Sequence, residues 1–522
     1  MMTLKTLKKT AFLLLTVVVV MVLLAVYFYL MPLKTPAVKA VDNDLFILNI
    51  HVVDVENERI RMNQNVVITA GLIEHIDAAL RPQDFRAHQL IDGSEKYLMP
   101  GLWDMHTHSL KISSYIHHPL FIRYGVTSVR DMSGCLDQDD SYWACPDDRR
   151  RWSQQAAAGQ GVSPAYHRQS SYQTNGGNEV PAGFTEYFHL KTSDDAEKMV
   201  DFYAQQGVDF IKTYSELSTE QFSWLAKASA EKGMQLAGHK PLKVSLKQAL
   251  DSDMTSLEHG RLFAFECYQD IAAFRNLEDP ISAYNADKIR DIINHQDPQK
   301  CAQLMQTMAN SPTAWVPTLT TLKMSAQSSG IDLENQAHLK YIPTLVKTLI
   351  WQPDLHRASN GLDKQGRFVH QDYYELIETH IKQARTNNIK ILVGTDNIDT
   401  LVYSGLSVHQ ELQNLVDAGM PTAKALKAAT LWPAQFSDVD AITGSAEAGK
   451  RADLVILNDN PLENIKNTQT IEAVLFNGHL YDHQALMALD HYTTEMASSI
   501  HLNTKLLVQM LMSPLMRVQL AD

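Results

Sequence analysis

Six side chains able to hold a cation or move a proton recur in this chain at the ends of short apolar runs. His106 and His108 stand one residue apart in LMPGLWDMHTHSL (98–110), Lys212 closes DFIK, His239 closes QLAGH, His259 closes SLEH and Asp396 closes ILVGTD. In a strand, side chains at i and i+2 leave the same face, so His106 and His108 can grip one metal ion from one side. Alone the pair says little, because about one His-x-His arises by chance in a chain with 21 histidines. Imidazole nitrogens suit a borderline-soft ion such as zinc, and a carboxylate beside them can take the proton of an activated water. Strand after strand ending this way, in register, would make a site. Lys212 admits two readings. It is an ammonium paired with a carboxylate such as Glu216, or a neutral amine that captures carbon dioxide and becomes a carbamate. The carbamate's two oxygens could bridge metal ions ~3.5 to 4 Å apart.

These residues need a scaffold that gathers strand ends. GVTSVRDM, GVDFIKTY, GMQLAGH, MTSLEHG, AWVPTL and IKILVGTD read as buried parallel strands, and TEQFSWLAKASAEKG as one of the helices between them. Such alternation fits an α/β barrel or a doubly wound sheet. Polar residues at successive strand ends favour the barrel, where those ends share one face, and the Gly-rich phosphate loop of a doubly wound nucleotide fold is missing. Shorter alternating strands precede this region (LFILNIHVVDV, NVVITAGLIEHIDAAL) and follow it (ADLVILNDNPL, IEAVLFNGHLYD), and read as a small β-unit.

LMPGLWDMHTH, GVTSVRDM, GVDFIKTYSEL, AGHK, SLEHG, VGTDN, GLSVHQELQNLVDAGMPTAKALKAAT and GSAEAGKRADLVIL, in this order, resemble the amidohydrolase superfamily, and more narrowly its prolidase and imidazolonepropionase-related branch. The resemblance implies an α/β fold: a (β/α)8 TIM barrel over 99–440, with a small β-sandwich built from the flanks 44–98 and 441–485. It implies two divalent metal ions, with His106, His108 and Asp396 holding the first, His239 and His259 the second, and a carboxylated Lys212 bridging them. A shared hydroxide would attack the scissile carbonyl, and Asp396 would take its proton and deliver it to the leaving nitrogen. Zn2+ is the ion this donor set favours, although manganese, iron or cobalt can occupy similar sites.

The chain departs from its relatives in two places. The Cys-flanked acidic insertion GCLDQDDSYWACPDD replaces a Gly-rich stretch after VRDM, and the long helical region from Ala264 to Arg367 reads as a cap over the pocket. Both lie where substrate is selected. The expected function is a metal-dependent amidohydrolase that cleaves amide or peptide C–N bonds of a small molecule, dipeptidase- or prolidase-like. A deaminase or lactam hydrolase on the same scaffold, and a catalytically silent ligand-binding barrel, are the alternatives.

The composition is compatible with this reading. The 522 residues are 45% hydrophobic and 20% charged, and a net charge of −13 without a Lys/Arg stripe excludes nucleic acid as a partner. Residues 1–10 are expected in the cytosol, 11–33 as a transmembrane anchor or signal segment, and 34–43 as a linker. Ala11 to Met31 carry no charge and meet the roughly 20 residues a bilayer requires. Lys5, Lys8 and Lys9 precede them, which places the catalytic domain outside the cytoplasm, periplasmic or extracellular. A cleavable signal ending in AVKA at Ala40 is the competing reading and would release a secreted protein, although its apolar core exceeds the usual ~7 to 15 residues. Cys135 with Cys145, and Cys267 with Cys301, could form disulfides in an oxidising compartment, but spacing alone leaves the connectivity open.

Other residues could contribute. His167 and Arg168, on the expected third strand, are candidates for substrate recognition. Tyr214 either donates to a substrate carboxylate or carbonyl or is a core tyrosine. Arg130 and Asp131 either face the pocket or form a rim salt bridge. His409 is expected to be structural, and His117 and His118 are expected on a helix away from the metals. The helical segment 486–522 is expected to pack on the barrel, with dimerisation into a homo-oligomer or a place on the membrane surface as alternatives.

Overall fold

A computed structural model describes residues 4–36, 44–85 and 88–519. Ala40, where the cleavable-signal reading places its site, lies outside the described residues, as does most of the 34–43 linker. The amino terminus forms one helix, Leu4–Leu30, within which Lys9–Leu30 is long and apolar enough to cross a membrane. Its apolar side chains, such as Phe12, Leu15 and Leu23, are exposed and have no core to enter.

The two β-rich flanks meet in one mixed sheet. Its strands run in the order His479–Tyr481, Ile471–Phe476, Leu454–Leu457, Tyr97–Pro100, Leu45–Asp54, Arg59–Thr69, Leu72–Ile76, and Gln89–Asp92 also pairs with Leu45–Asp54. Amino- and carboxy-terminal segments are joined where Leu454–Leu457 lies antiparallel to Tyr97–Pro100. Leu45 with Ile47, Ile50 with Val52, Val66 with Ile68 and Leu454 with Ile456, each pair two residues apart, fill a separate core, which is the period of two that the flanking sequences carry.

Between the flanks the architecture is TIM-barrel-like, with parallel strands and helices on their outer side. One parallel sheet holds Leu102–Thr107, Val126–Asp131 and Ala165–Gln169; another holds Phe210–Thr213, Gln235–Gly238, Met254–Glu258 and Ala314–Val316. Single parallel bridges link Ser170 to Phe210 and Thr174 to Thr213. The expected strand IKILVGTD is an extended segment carrying only one bridge residue towards Trp315, at Ile391. It still bonds on both sides, with Leu392 N–H donating to the Trp315 carbonyl and Met105 N–H donating to the Val393 carbonyl. Gly394 explains the close approach, because a Cβ there would lie 2.5 Å from Val316 Cγ1 and 2.9 Å from His106 Cβ. Trp103, Met105, Val316 and Leu392 fill the space inside these strands.

The helices follow local signals. Thr192 with Asp195, and Ser218 with Gln221, form reciprocal capping boxes at the starts of Ser193–Gln205 and Thr219–Lys232. The second helix ends on Gly233 at φ 67°, a left-handed residue that glycine adopts without steric penalty. The expected cap region, Ala264 to Arg367, contains the strand Ala314–Val316 in its middle, with short helices on either side. Both expected cysteine pairs are disulfides, Cys135–Cys145 and Cys267–Cys301.

The carboxy-terminal segment forms His483–Ser498, Ile500–Met512 and Pro514–Gln519. These helices touch both the amino-terminal segment and the insertion that carries Asp140. Lys505 Nζ donates to the Tyr29 carbonyl at 2.8 Å and Tyr492 Oη to the Lys34 carbonyl at 2.7 Å, while Ser513 Oγ donates to Asp140 Oδ2 at 2.8 Å.

Candidate functional site

His106 and His108 leave the carboxyl end of Leu102–Thr107, and Asp396 reaches them from the neighbouring extended segment, anchored by its N–H donating to the His106 carbonyl at 2.9 Å. Asp396 Oδ1 lies 3.2 Å from His106 Nε2 and 3.1 Å from His108 Nε2, and Oδ2 lies 3.6 Å from His259 Nδ1. His239 and His259 end adjacent strands, and their Nε2 atoms stand 2.7 Å apart. Gly238, at φ 128°, lets that strand press against its neighbour, since a Cβ would sit 2.5 Å from the Thr213 carbonyl oxygen. Asp396 and His259 both adopt positive φ, 62° and 72°. Strained backbone of this kind gathers at functional sites. All five side chains therefore converge at the carboxyl ends of the parallel segments.

The outward-facing ring nitrogens are held. His106 Nδ1 meets Glu258 Oε2 at 2.8 Å, His239 Nδ1 meets Ser215 Oγ at 2.8 Å, and His259 Nδ1 meets Thr318 Oγ1 at 3.0 Å. With protons assigned to the His239 and His259 Nδ1 atoms, their Nε2 lone pairs face each other across 2.7 Å, while the His106 and His108 Nε2 atoms face Asp396 Oδ1. Lone pairs so close repel unless a cation lies among them. The donor set thus fits a metal, and the Nδ1 partners are of the sort that orient metal-bound histidines. Burial pushes His108 down to about 4 and His259 down to about 3, which keeps both imidazoles neutral, the form that ligates.

Lys212 is 1% exposed and has no carboxylate within ion-pairing distance among the described residues. Its Nζ donates to the Met132 carbonyl at 2.8 Å, and burial lowers it to about 8. The pairing with Glu216 that its sequence also allowed is not formed: Glu216 instead accepts from Asn178 Nδ2. Tyr214 stacks on His239 with ring centroids 4.0 Å apart and lines the cavity that His108 opens into.

His167 and Arg168 are placed elsewhere. The His167 ring stacks on Trp103 at 4.7 Å, and Arg168 Nη2 donates to the Ser437 carbonyl and pairs with Asp438 at 2.7 Å. The structure corrects their expected place in the pocket. His167 lies against Trp103, in a layer of side chains inside the strands, and Arg168, which the alternation turns to the other face, is taken up by Asp438. His117, expected away from the metals, lines the same cavity as His108, while His118 bonds Tyr166 Oη at 2.7 Å. His409 is buried between Thr468 Oγ1 and the Tyr124 carbonyl, a structural position.

Glu258 is the functional neighbour that sequence reasoning passed over. It receives Arg130 Nη2 at 2.8 Å, Ser256 Oγ at 2.5 Å and the His106 ring. Burial alone would raise its carboxyl, but the Arg130 charge and these bonds bring it down to about 2. The signal was an acid one residue before His259 in an otherwise buried strand. Arg130 thus forms a buried salt bridge with Glu258, and Asp131 pairs with Arg149.

The sequence profile of the Amidohydrolase family matches residues 216–481. The chain belongs to the amidohydrolase family. No curated sequence matches it significantly. Among solved structures, this amidohydrolase is similar to a bottromycin amidohydrolase (21% identity, 87% of this chain and 90% of that one, TM-score 0.65). It is also similar to a Xaa-Pro dipeptidase with methionine in its active site (19%, 84% and 100%, TM-score 0.58) and to A. niger ochratoxinase (18%, 84% and 96%, TM-score 0.54). At such identities the likeness carries the fold.

Proposed function

We propose that this amidohydrolase is a binuclear metal-dependent hydrolase of small amide or peptide substrates, dipeptidase- or prolidase-like, anchored in a membrane by its amino-terminal helix with the catalytic domain outside the cytoplasm. The observation that carries the reading is the convergence of four histidine rings, Asp396 and an unpaired, buried Lys212 at one end of the parallel strands. His106, His108 and Asp396 would hold one ion, His239 and His259 the other, with a carboxylated Lys212 between them. Zinc is the ion best suited to these nitrogens. Bound ions would polarise the carbonyl and lower the pKa of the attacking water.

The chain's own residues do the rest. Asp396 accepts the water proton, the water oxygen bonds to the carbonyl carbon, and Asp396 returns the proton to the nitrogen as the C–N bond breaks. Tyr214 stands at the junction of cluster and cavity, where its hydroxyl can orient the substrate carbonyl. Glu258 and Arg130 fix the His106 ring. For the fold we propose that the eight parallel segments from 102 to 396 close into a (β/α)8 barrel, supported by the bridges Thr107 to Asn397 and Trp315 to Ile391. The flanks 44–98 and 441–485 would form its β-sandwich.

The test is elemental analysis together with Asp396→Asn. Close to two divalent ions per chain are expected. The variant should keep most of its metal and lose turnover of every amide offered. A gently purified protein without metal, or an active variant, would contradict the mechanism.

A further inference from the structure

Two cavities flank the histidine cluster, and their walls differ in a way that defines one substrate. The larger, about 470 Å³, meets the cluster at His108 and Tyr214, and Ile112, Ile116, Leu120, Val346, Leu349 and Trp351 contribute its apolar wall. That volume is in the range of about 300 to 1,000 Å³ usual for small-molecule sites. Polar groups line it too, Gln173, Asn397 and Asp399 among them, with Asp354 and Arg357 pairing with each other. The smaller cavity, about 70 Å³, meets the cluster at His239 and His259 and is walled by Leu242, Phe265 and Ile281.

That small cavity holds two cations in different states. Lys240 is engaged by Glu266 at 3.0 Å and by the Pro241 and Val244 carbonyls. Arg261 has no acceptor bonded to its guanidinium among the described residues, yet it stands close enough for its charge to act on His239, His259 and Tyr214. A planar cation left free beside an apolar niche suits a carboxylate attached to an apolar side chain.

The position of the larger cavity adds an independent argument. Met516 and Gln519, which help line it, belong to the helix Pro514–Gln519, and that helix follows Ile500–Met512. Ile500–Met512 packs on the end of the apolar amino-terminal helix and leaves Ile500, Leu507 and Leu511 exposed along one stripe. With the amino-terminal helix in a bilayer, the helices that bring Met516 and Gln519 to the cavity wall would lie near the membrane surface.

We propose that the site hydrolyses amphiphilic N-acyl amino acids, with the long acyl chain in the larger cavity and the carboxylate of an apolar amino acid on Arg261. This rests on the amide-hydrolase reading above. The water oxygen bonds to the acyl carbon, the C–N bond breaks, and the nitrogen takes a proton from Asp396, leaving a long-chain carboxylate and a free amino acid. No other reactant is needed.

The test uses the metal-loaded full chain in lipid nanodiscs. kcat/KM is measured for N-acetyl-, N-octanoyl- and N-lauroyl-leucine, for the matching leucinamides, and for a panel of dipeptides and lactams. Each buried methylene should add roughly four-fold, so burial of only two of the ten methylenes added from acetyl to lauroyl gives a rise of more than tenfold. Arg261→Met should lower the ratio of leucine to leucinamide turnover at least tenfold, with Arg261→Lys recovering part of it. Cleavage of dipeptides with no rise along the acyl series overturns the inference and leaves the amidohydrolase reading standing. An unchanged ratio in Arg261→Met likewise overturns it, and no hydrolysis of any amide overturns both.

Discussion

Replacing Glu258 with Gln tests whether the histidine cluster depends on a charge behind it. The carboxylate is buried together with Arg130, whose guanidinium has three anchors: Glu258 Oε1 at 2.8 Å, Ser256 Oγ at 2.7 Å and the Met105 carbonyl at 2.7 Å. Glutamine keeps the volume and one acceptor but leaves the Arg130 charge uncompensated, which costs about 3 to 5 kcal/mol. It also removes the anion facing His106 Nδ1, and losing such a partner weakens metal binding about 10- to 100-fold. Urea unfolding would read the first effect and a competitive chelator titration the second. Arg130→Met in the same background separates charge from shape. With both ions gone, the double variant should recover a large part of the stability lost by Glu258→Gln alone, although the histidine stays less well oriented and metal affinity stays low. If Glu258→Gln unfolds within about 0.5 kcal/mol of the parent and binds metal normally, the charge is not what holds His106.

Three further outcomes are expected. His409 is buried between Thr468 and the Tyr124 carbonyl, and burial pushes it down to about 4. Below the unfolded histidine value near 6.5 the unfolded chain binds a proton that the folded chain refuses. Stability should therefore fall as pH drops from about 6.5 towards 4, by an amount on the order of 3 kcal/mol, and the slope should flatten in His409→Asn. Removing the Cys267–Cys301 bond, which closes a separation of 34 residues, should destabilise by about 4 kcal/mol against about 3 for Cys135–Cys145, whose separation is 10, as read from thermal unfolding of Cys→Ser pairs. Gly394→Ala should reduce metal content sharply, because the added methyl would lie 2.9 Å from His106 Cβ; full metal loading in a folded variant would contradict the close-approach argument.

What could be read from the sequence, and what could not, divides along a physical line. His106, His108, His239, His259 and Asp396 were legible because each closes an apolar run, so local pattern alone puts them at strand ends, and the shared architecture brings those ends together. Glu258 and Arg130 were legible as residues but not as a pair, since 128 positions separate them and only the curvature of the strands brings them within 2.8 Å. His167 misled for the opposite reason. It was placed on the correct strand, but facing along a strand does not say how far up the barrel a side chain lies, and stacking on Trp103 puts it in a different layer. The extended segment around Ile391 was expected to be regular. Its pairing with both neighbours is carried instead by a few bonds either side of Gly394, which no propensity encodes.

The same line separates chemistry from specificity in this protein. Residues that would hold ions and move the proton come from strand ends, where position is fixed by the barrel and a one-residue shift would turn every side chain to the other face. Part of the larger cavity's wall comes from loops that follow the strands, but the rest comes from the segment 341–357 and, through Met516 and Gln519, from the helix Pro514–Gln519, neither of which the strands dictate. These elements lean on one another through Tyr341 and Lys340 with Asp490, and Leu345 N–H with Asn503. The wall of the cavity is therefore coupled mechanically to the helices that grip the amino-terminal helix. A substitution such as Asp490→Ala, remote from every candidate ligand, should change KM for a long substrate more than it changes metal content. Equal loss of both would mean that the wall and the ion-binding end are one cooperative unit.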